Sequence, residues 1–346
     1  MTIAVIMGTK IIAPNIWGWI ADHTGQRMRV IRVASLLSVI CFAGVYLSLD
    51  YTWLLLVMVC FSFFWNANLP QFEAVTLSHL GKKVHNYSGI RLWGSLGFVL
   101  LVTLLGAVFE QYGVDLLPTV FIFLLLGIWL FSLLVTDKSH ETHHHKSQSF
   151  KSILRRPPVL LFFIICFLLQ ASHGPYYAFY SLHLEQNEYT RTVIGQLWAL
   201  GVIAEILIFL FMHKLLPKLG AARLLFISLL LTTIRWWLIG HYVDSMAVMF
   251  LAQCLHAASF GIFHSVAIHQ IHQYFPANVQ GRGQALYSSV SFGAGGAVGA
   301  LYSGYSWDQF GAEWSYNIAG VISFVAVIFT LVYMKLERNT NIPAKT

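Results

Sequence analysis

Leu116 to Val135 reads LLPTVFIFLLLGIWLFSLLV, 20 residues without one charged side chain. A helix that crosses a hydrocarbon core of about 30 Å needs about 20 such residues. Lipid offers the backbone no hydrogen bonds, so the segment must satisfy its own N–H and C=O groups, which a helix does. Working outward, the pattern recurs in eleven segments, at approximately 1–20, 30–49, 52–78, 87–109, 115–135, 158–183, 191–213, 223–241, 245–272, 283–306 and 314–334. The chain is 57% hydrophobic and 10% charged, with mean hydropathy +0.68, against about one-quarter charged residues in soluble domains. These figures exclude a water-soluble fold and specify an all-α polytopic membrane protein. The first segment has no basic region ahead of its apolar stretch and no small-residue cleavage site, so it does not read as a signal peptide.

The net charge of +7 is a topology signal, not a nucleic-acid footprint, because of where the charges fall. Lys and Arg gather in alternate loops, at Arg27, Arg29 and Arg32, at Lys82 and Lys83, from Lys138 to Arg156, from Lys214 to Arg223, at Arg282 and from Lys335 to Lys345. The loops between them carry Asp50, Glu110, Asp115, Glu185, Glu188, Asp244, Asp308 and Glu313, with Arg191 the basic exception. By the positive-inside rule the basic loops and the C-terminus are cytoplasmic, and eleven spans then put the N-terminus outside. Cys41, Cys60, Cys166 and Cys254 all fall in spans without a CxxC pair, and are expected as buried, reduced packing residues.

The longest polar stretch between spans divides the chain. Residues 1–135 form an N-terminal bundle of five helices, 136–157 a cytoplasmic linker rich in Lys, Ser and His, 158–336 a C-terminal six-helix bundle and 337–346 a cytoplasmic tail. A weak repeat accompanies the division: GIRLWGSLGF from Gly89 to Phe98 aligns with GQALYSSVSF from Gly283 to Phe292 at Gly, Leu, Ser and Phe. Each opens a helix from the cytoplasmic side, as parallel half-repeats of a transporter would.

Gly18-Trp-Ile-Ala-Asp22-His-Thr-Gly25-Gln-Arg27 resembles the major facilitator loop signature G-x-x-x-D-R-x-G-R-R, with His23 and Gln26 in place of two basic residues. In that superfamily the loop joins helices two and three. The resemblance therefore implies a major facilitator fold with 11 of the usual 12 helices present, the first being absent from a late or mis-assigned start or a true eleven-helix variant. Three further stretches, Gln170 to Tyr180 (QASHGPYYAFY), Gly195 to Glu205 (GQLWALGVIAE) and Ile90 to Ser95 (IRLWGS), resemble the phenylpropionate permease branch. That branch is related to lactose and nucleoside proton symporters. What it implies is a monomeric permease of the bacterial inner membrane that moves a small organic solute with protons and needs no cofactor.

Ionisable side chains within the membrane cost about 2.5–3.5 kcal/mol each at mid-helix, so each asks for a partner or a wet cavity. Glu73, Arg91, Glu205 and Arg235 are the ones that stand out. Trp198, Gly201 and Glu205 follow i, i+3, i+7 and share one helix face. A carboxyl group held away from bulk water can exchange a proton there, making Glu205 a coupling or substrate site, or else a structural ion-pair partner. Arg235 cannot discharge and needs an acceptor: Glu205, the carboxylate of an anionic solute, or, if it snorkels, the outer interface. Glu73 and Arg91 end one helix and begin the next, forming either a structural or gating ion pair or, as in the related lactose permeases, part of a substrate site. Asn66, Pro70 and Glu73 share a face, and the proline can loosen that helix. His173, Tyr176, Tyr177 and Tyr180 make a polar aromatic stripe around Gly174-Pro175, suited to an aromatic solute or to interhelical packing. His264, mid-span, is structural or, by resemblance to a branch histidine, a second coupling residue. The loop residues Gly18, Asp22, Gly25 and Arg27 form the cytoplasmic gate.

The HxxHHH run at His140, His143, His144 and His145 lies in a flexible basic linker, so no metal site is assigned. Gly293, Gly295, Gly296 and Gly299 lie inside an apolar helix, where small residues permit close helix approach. No nucleotide loop GxxxxGK[ST] and no nucleophile elbow occurs, so an enzyme is not expected. Three functions stand: proton symport of a small, aromatic carboxylate; proton symport of a neutral sugar or nucleoside; and a non-transporting receptor or inactive fragment.

Overall fold

The computed structural model describes residues 2–80, 87–137, 150–275 and 280–340, and among these it contains helices and no strand. The chain divides into two compact units, the first comprising Met1–Gly97 and Val108–His144 and the second Phe98–Ala107 and His145–Thr346. Nine helical segments among the described residues are long and apolar enough to cross a membrane. The sequence reading expected eleven. Two of its spans, 283–306 and 314–334, fall in one run, Arg282–Glu337, and helix α1 (Thr2–Thr24), which covers the first expected span, stands outside the nine. Within that long run the chain breaks only at Gly311, where φ is 84°, a conformation that costs glycine little and other residues much.

In the first unit α1 and α2 (Arg27–Ala43) pack on α3 (Tyr51–Leu80), and α5 (Leu117–Leu134) packs on α2. Phe42, Phe61 and Phe121 meet edge to face at 4.7–5.6 Å between centroids and fill the centre. The α1–α2 turn is fixed by charge and backbone together. Gly25 ends α1 with φ 66°, its N–H on the Ala21 carbonyl. The first turn of α2 sets the Met28 N–H on Asp137 Oδ2 at 3.1 Å, an anion on a helix N-terminus. Arg32 donates to the Ser132 and Val135 carbonyls at the end of α5, a cation on a C-terminus.

The second unit holds α7 (Pro157–Ser172), α8 (Gly174–Gln186), α9 (Arg191–Leu219), α10 (Ala221–His241), α11 (Met246–Cys254), α12 (Phe263–Tyr274), α13 (Gln280–Ser288) and α14 (Gly296–Thr340). Part of α4 (Tyr87–Tyr112) also belongs to it, with Gly106 against the Arg191 carbonyl at the start of α9. Two segments within candidate spans are π-helical, Ala257–Ile262 between α11 and α12 and Ser289–Gly295 between α13 and α14. A short helix, α6 (Phe150–Leu154), buries Ile153 against this unit's core. Of the cysteines, Cys166 alone is buried, and Cys41, Cys60 and Cys254 are partly exposed. The expectation from the sequence that all four are buried holds for Cys166 alone, because an apolar span does not say which face looks inward.

Gly295 and Gly299, at the start of the α14 region, lie where two backbones touch. A Cβ built on Gly299 would meet the Ala171 carbonyl at 2.6 Å, and one on Gly174 would run into the Gly299 carbonyl. Gly174→Ala should therefore destabilise the protein by about 1–3 kcal/mol, the cost of overpacking. Gly304→Ala, with no atom within 4 Å of the added methyl, should leave it unchanged. Thermal unfolding of the purified protein in detergent measures both.

Candidate functional site

The α7–α8 join sets up the site. His173 interrupts the helix, and Pro175 restarts it in the first turn, where its missing N–H is harmless. From that restart Tyr176 and Tyr180, one turn apart, are 1% exposed, while Tyr177 is 40% exposed on the rim and stacks on His173 at 5.6 Å. The expected four-residue stripe is thus split between a buried pair of tyrosines and a rim residue.

At its centre lies Arg235 of α10, 0% exposed. Its Nε donates to the Ala252 carbonyl at 2.9 Å, Nη1 to Ser259 Oγ at 2.9 Å and Nη2 to Gln253 Oε1 at 3.3 Å. The guanidinium carbon sits 4.1 Å from the Tyr176 ring centroid and 4.8 Å from that of Trp236. Every one of these partners is neutral. One expectation is corrected here: Arg235 does not snorkel to an interface. Its side chain turns into the bundle, where carbonyl, hydroxyl, amide and π-face donate electron density without neutralising the charge.

Aromatic walls surround the cation. Trp198 packs on Tyr176 at 4.7 Å and on Tyr180 at 5.5 Å, and donates to Ser181 Oγ at 3.0 Å. His173 meets Trp236 edge-on at 4.8 Å, with Nδ1 2.8 Å from the Leu169 carbonyl. The Tyr176 hydroxyl donates to Gln253 Oε1 at 3.0 Å. In this same region His173 Nε2, Tyr180 OH, Gln253 Nε2 and His256 Nδ1 are buried and have no hydrogen-bond partner. Buried polar groups are ordinarily paired, so these four beside the buried cation mark the candidate site.

Glu205 lies on α9, and its carboxylate Oε2 is 3.7 Å from His256 Nε2. Gly201, one turn before it, faces Gln253 and His256 so closely that a Cβ would sit 3.1 Å from Gln253 Oε1. The sequence singles out His264 and not His256. His264 sits farther along the same span, with Nδ1 3.3 Å from the Tyr287 hydroxyl. His256, Phe260 and His264 stack in turn at 5.8 and 5.6 Å, and their i, i+4, i+8 spacing is the signal that would have flagged His256. Gln253 and Ser259 carried no such signal, being polar residues of ordinary type in an apolar span.

In the first unit Arg27 Nη1 donates to Gln71 Oε1 at 2.9 Å, Asn66 Nδ2 to Thr9 Oγ1 at 2.8 Å and Ser35 Oγ to Asn68 Oδ1 at 3.1 Å. Gly18 lies by Gln71 and Glu73 lies partly exposed in α3. The side chains of Asp22 and Arg91 and the run from His140 to His145 lie outside the described residues. Among the described residues no three His, Cys, Asp or Glu side chains converge on a metal position.

Comparison with known proteins accords with this architecture. The model of the MFS_1-like family matches residues 1–318. Over 329 residues the chain is 26% identical to the probable 3-phenylpropionic acid transporter of Escherichia coli (strain K12), covering 94% of this chain and 84% of that protein. Over 334 residues it is 25% identical to the maltose permease of Geobacillus stearothermophilus, covering 95% and 84%. A crystal structure of a single-residue mutant of the nucleoside transporter NupG superposes with a TM-score of 0.81 at 17% identity, over 97% of this chain and 90% of that one. The chain belongs to the MFS_1-like family and is a multi-pass membrane protein with the major facilitator fold.

The geometry separates what the Tyr176 ring and hydroxyl each contribute. Tyr176→Phe removes one hydrogen bond and should cost about 1 kcal/mol, whereas Tyr176→Ala also removes a buried ring and its cation contact and should cost about 3–5 kcal/mol. Thermal unfolding in detergent measures the difference.

Proposed function

We propose that this member of the MFS_1-like family takes up a small aromatic carboxylate with protons, and that Arg235 receives the solute's carboxylate. The observation that carries this reading is the buried guanidinium held by neutral groups alone. A carboxylate brought to it would supply the missing charge, and the rings of Tyr176, Trp198 and Trp236 would flank the apolar body of the solute. The likeness to a probable 3-phenylpropionic acid transporter supports the same solute class. The competing reading is a neutral sugar or nucleoside, favoured by the unpaired Gln253 Nε2, His173 Nε2 and Tyr180 OH, which suit hydroxyl groups. Likeness to a maltose permease and a nucleoside transporter supports it.

Coupling rests on the Glu205–His256 pair, with His264 as the further candidate. A proton and a solute must each change the other's affinity by the same factor. An anion arriving at Arg235 changes the field at the nearby carboxyl and imidazole, and a proton on either changes the field at the anion. The reading includes a bacterial inner-membrane location with a cytoplasmic C-terminus, alternating access, a Glu73–Arg91 couple within the first unit, and a gate at Gly18, Asp22, Gly25 and Arg27.

Uptake and exchange in proteoliposomes, with and without an imposed pH gradient, test the proposal. Arg235→Leu and Arg235→Gln, each checked for folding by thermal unfolding in detergent, should both abolish uptake and exchange of 3-phenylpropionate. Glu205→Gln should keep exchange and lose accumulation driven by the pH gradient. If Glu205→Gln still concentrates solute under that gradient, the coupling assignment fails; if Arg235→Leu transports normally, the anchor assignment does.

A further inference from the structure

The π-helical segment Ala257–Ile262 is tied to Arg235 through one of its own residues, Ser259, and is held from outside by Ser228. A π turn carries one more residue than an α turn and leaves carbonyl groups out of α register. Two of these carbonyls are taken by side chains. Ser228 Oγ of α10 donates to the Ala258 carbonyl at 2.8 Å, and Ser259 Oγ donates to the His256 carbonyl at 3.3 Å. Ser259 Oγ also accepts from Arg235 Nη1 at 2.9 Å, so the guanidinium orients the hydroxyl that caps the start of the π segment. Arg235 grips the preceding turn as well, through the Ala252 carbonyl and Gln253 Oε1. On the opposite side Gly261 lets the segment press on α9, where a Cβ would strike Ile208 and lie 3.5 Å from Glu205 Cγ.

From this geometry, and resting on the reading of Arg235 as the anion anchor, we propose that Ser259 and Gln253 are internal stand-ins for the solute's carboxylate. An anionic solute that takes the guanidinium displaces them, and the π segment loses the clamp that keeps it out of α register. Relaxation to α-helix removes one residue from the turn, rotating everything beyond by about 100° and shifting it by about 1.5 Å. That motion carries His264 off Tyr287 and moves the backbone beneath Glu205. Ser259 is in this account a positioning residue: it competes with the solute and does not bind it.

The direction of effect separates this role from a solute contact. Ser259→Ala removes a competitor for the guanidinium and should tighten binding of 3-phenylpropionate to the purified protein about threefold to tenfold, the worth of one hydrogen bond. Ser259→Thr, which keeps the hydroxyl, should match the unaltered protein. Weaker binding in Ser259→Ala would make Ser259 a solute contact and overturn the proposal. Hydrogen exchange across residues 255–264 supplies a ligand-free arm: exchange should rise in Ser259→Ala and not in Ser259→Thr. Equal exchange in all three proteins would show that no clamp exists. In the unaltered protein, saturating 3-phenylpropionate should raise exchange in this segment, and protection there would contradict displacement. Failure of the unaltered protein to bind 3-phenylpropionate would count against the anion reading itself, while the ligand-free arm would still decide the clamp.

Discussion

A guanidinium hydrogen-bonded to neutral groups and sealed inside a helical bundle is the constraint around which the C-terminal unit is arranged. Arg235 cannot lose its proton and cannot reach water, so the fold must supply acceptors from every side. It does so with the Ala252 carbonyl, the Ser259 hydroxyl, the Gln253 amide and the faces of Tyr176 and Trp236. Each supplier depends in turn on a local device. Tyr176 is aimed inward by the helix restart at Gly174-Pro175, Trp236 is fixed by its bond to Ser172 Oγ, and Ser259 sits where the π segment puts it. The arrangement stabilises the cation through dipoles and π-faces without a hydrogen-bonded counter-charge.

The close approach of backbones makes this economical in space. Gly174, Gly295 and Gly299 bring α7, α8 and α14 together, and Gly201 and Gly261 bring α9 against α11 and the π segment. The first set fixes the wall that carries Tyr176 and Tyr180. The second sets Glu205 beside His256, so a titratable pair lies next to the buried cation with little side-chain bulk between them. Small residues in such spans contribute by permitting van der Waals contact, since lipid gives helices no hydrophobic reason to associate.

Much of the architecture was legible in the sequence because membrane helices leave a strong compositional trace. Stretches such as Leu116 to Val135 fix class and span length, and the Gly18 to Arg27 loop pointed to the superfamily that the family match then showed. Charges inside spans were equally legible, since Glu205 and Arg235 announce themselves by cost alone. Their partners were not. Which acceptor Arg235 finds depends on the rotation of α10 against α11, and a sequence with no amphipathic contrast says little about rotation: both lipid-facing and core-facing positions are apolar. For the same reason His256 went unread, and the exposure of Tyr177 was missed. The π segments had no sequence signal, because no side-chain preference marks a turn that is one residue too long; they follow from tertiary contacts such as Ser228 to Ala258.

The central claim is that the negative charge of the solute, not its ring, is what Arg235 recognises. It is tested most directly by titrating the purified protein with 3-phenylpropionate and with 3-phenylpropionamide, which keeps ring and chain length and lacks the charge. If Arg235 receives a carboxylate, the amide should bind at least about tenfold more weakly, the loss of a hydrogen bond to a charged group. Equal affinity for acid and amide would contradict the account and move the site to the neutral-solute reading.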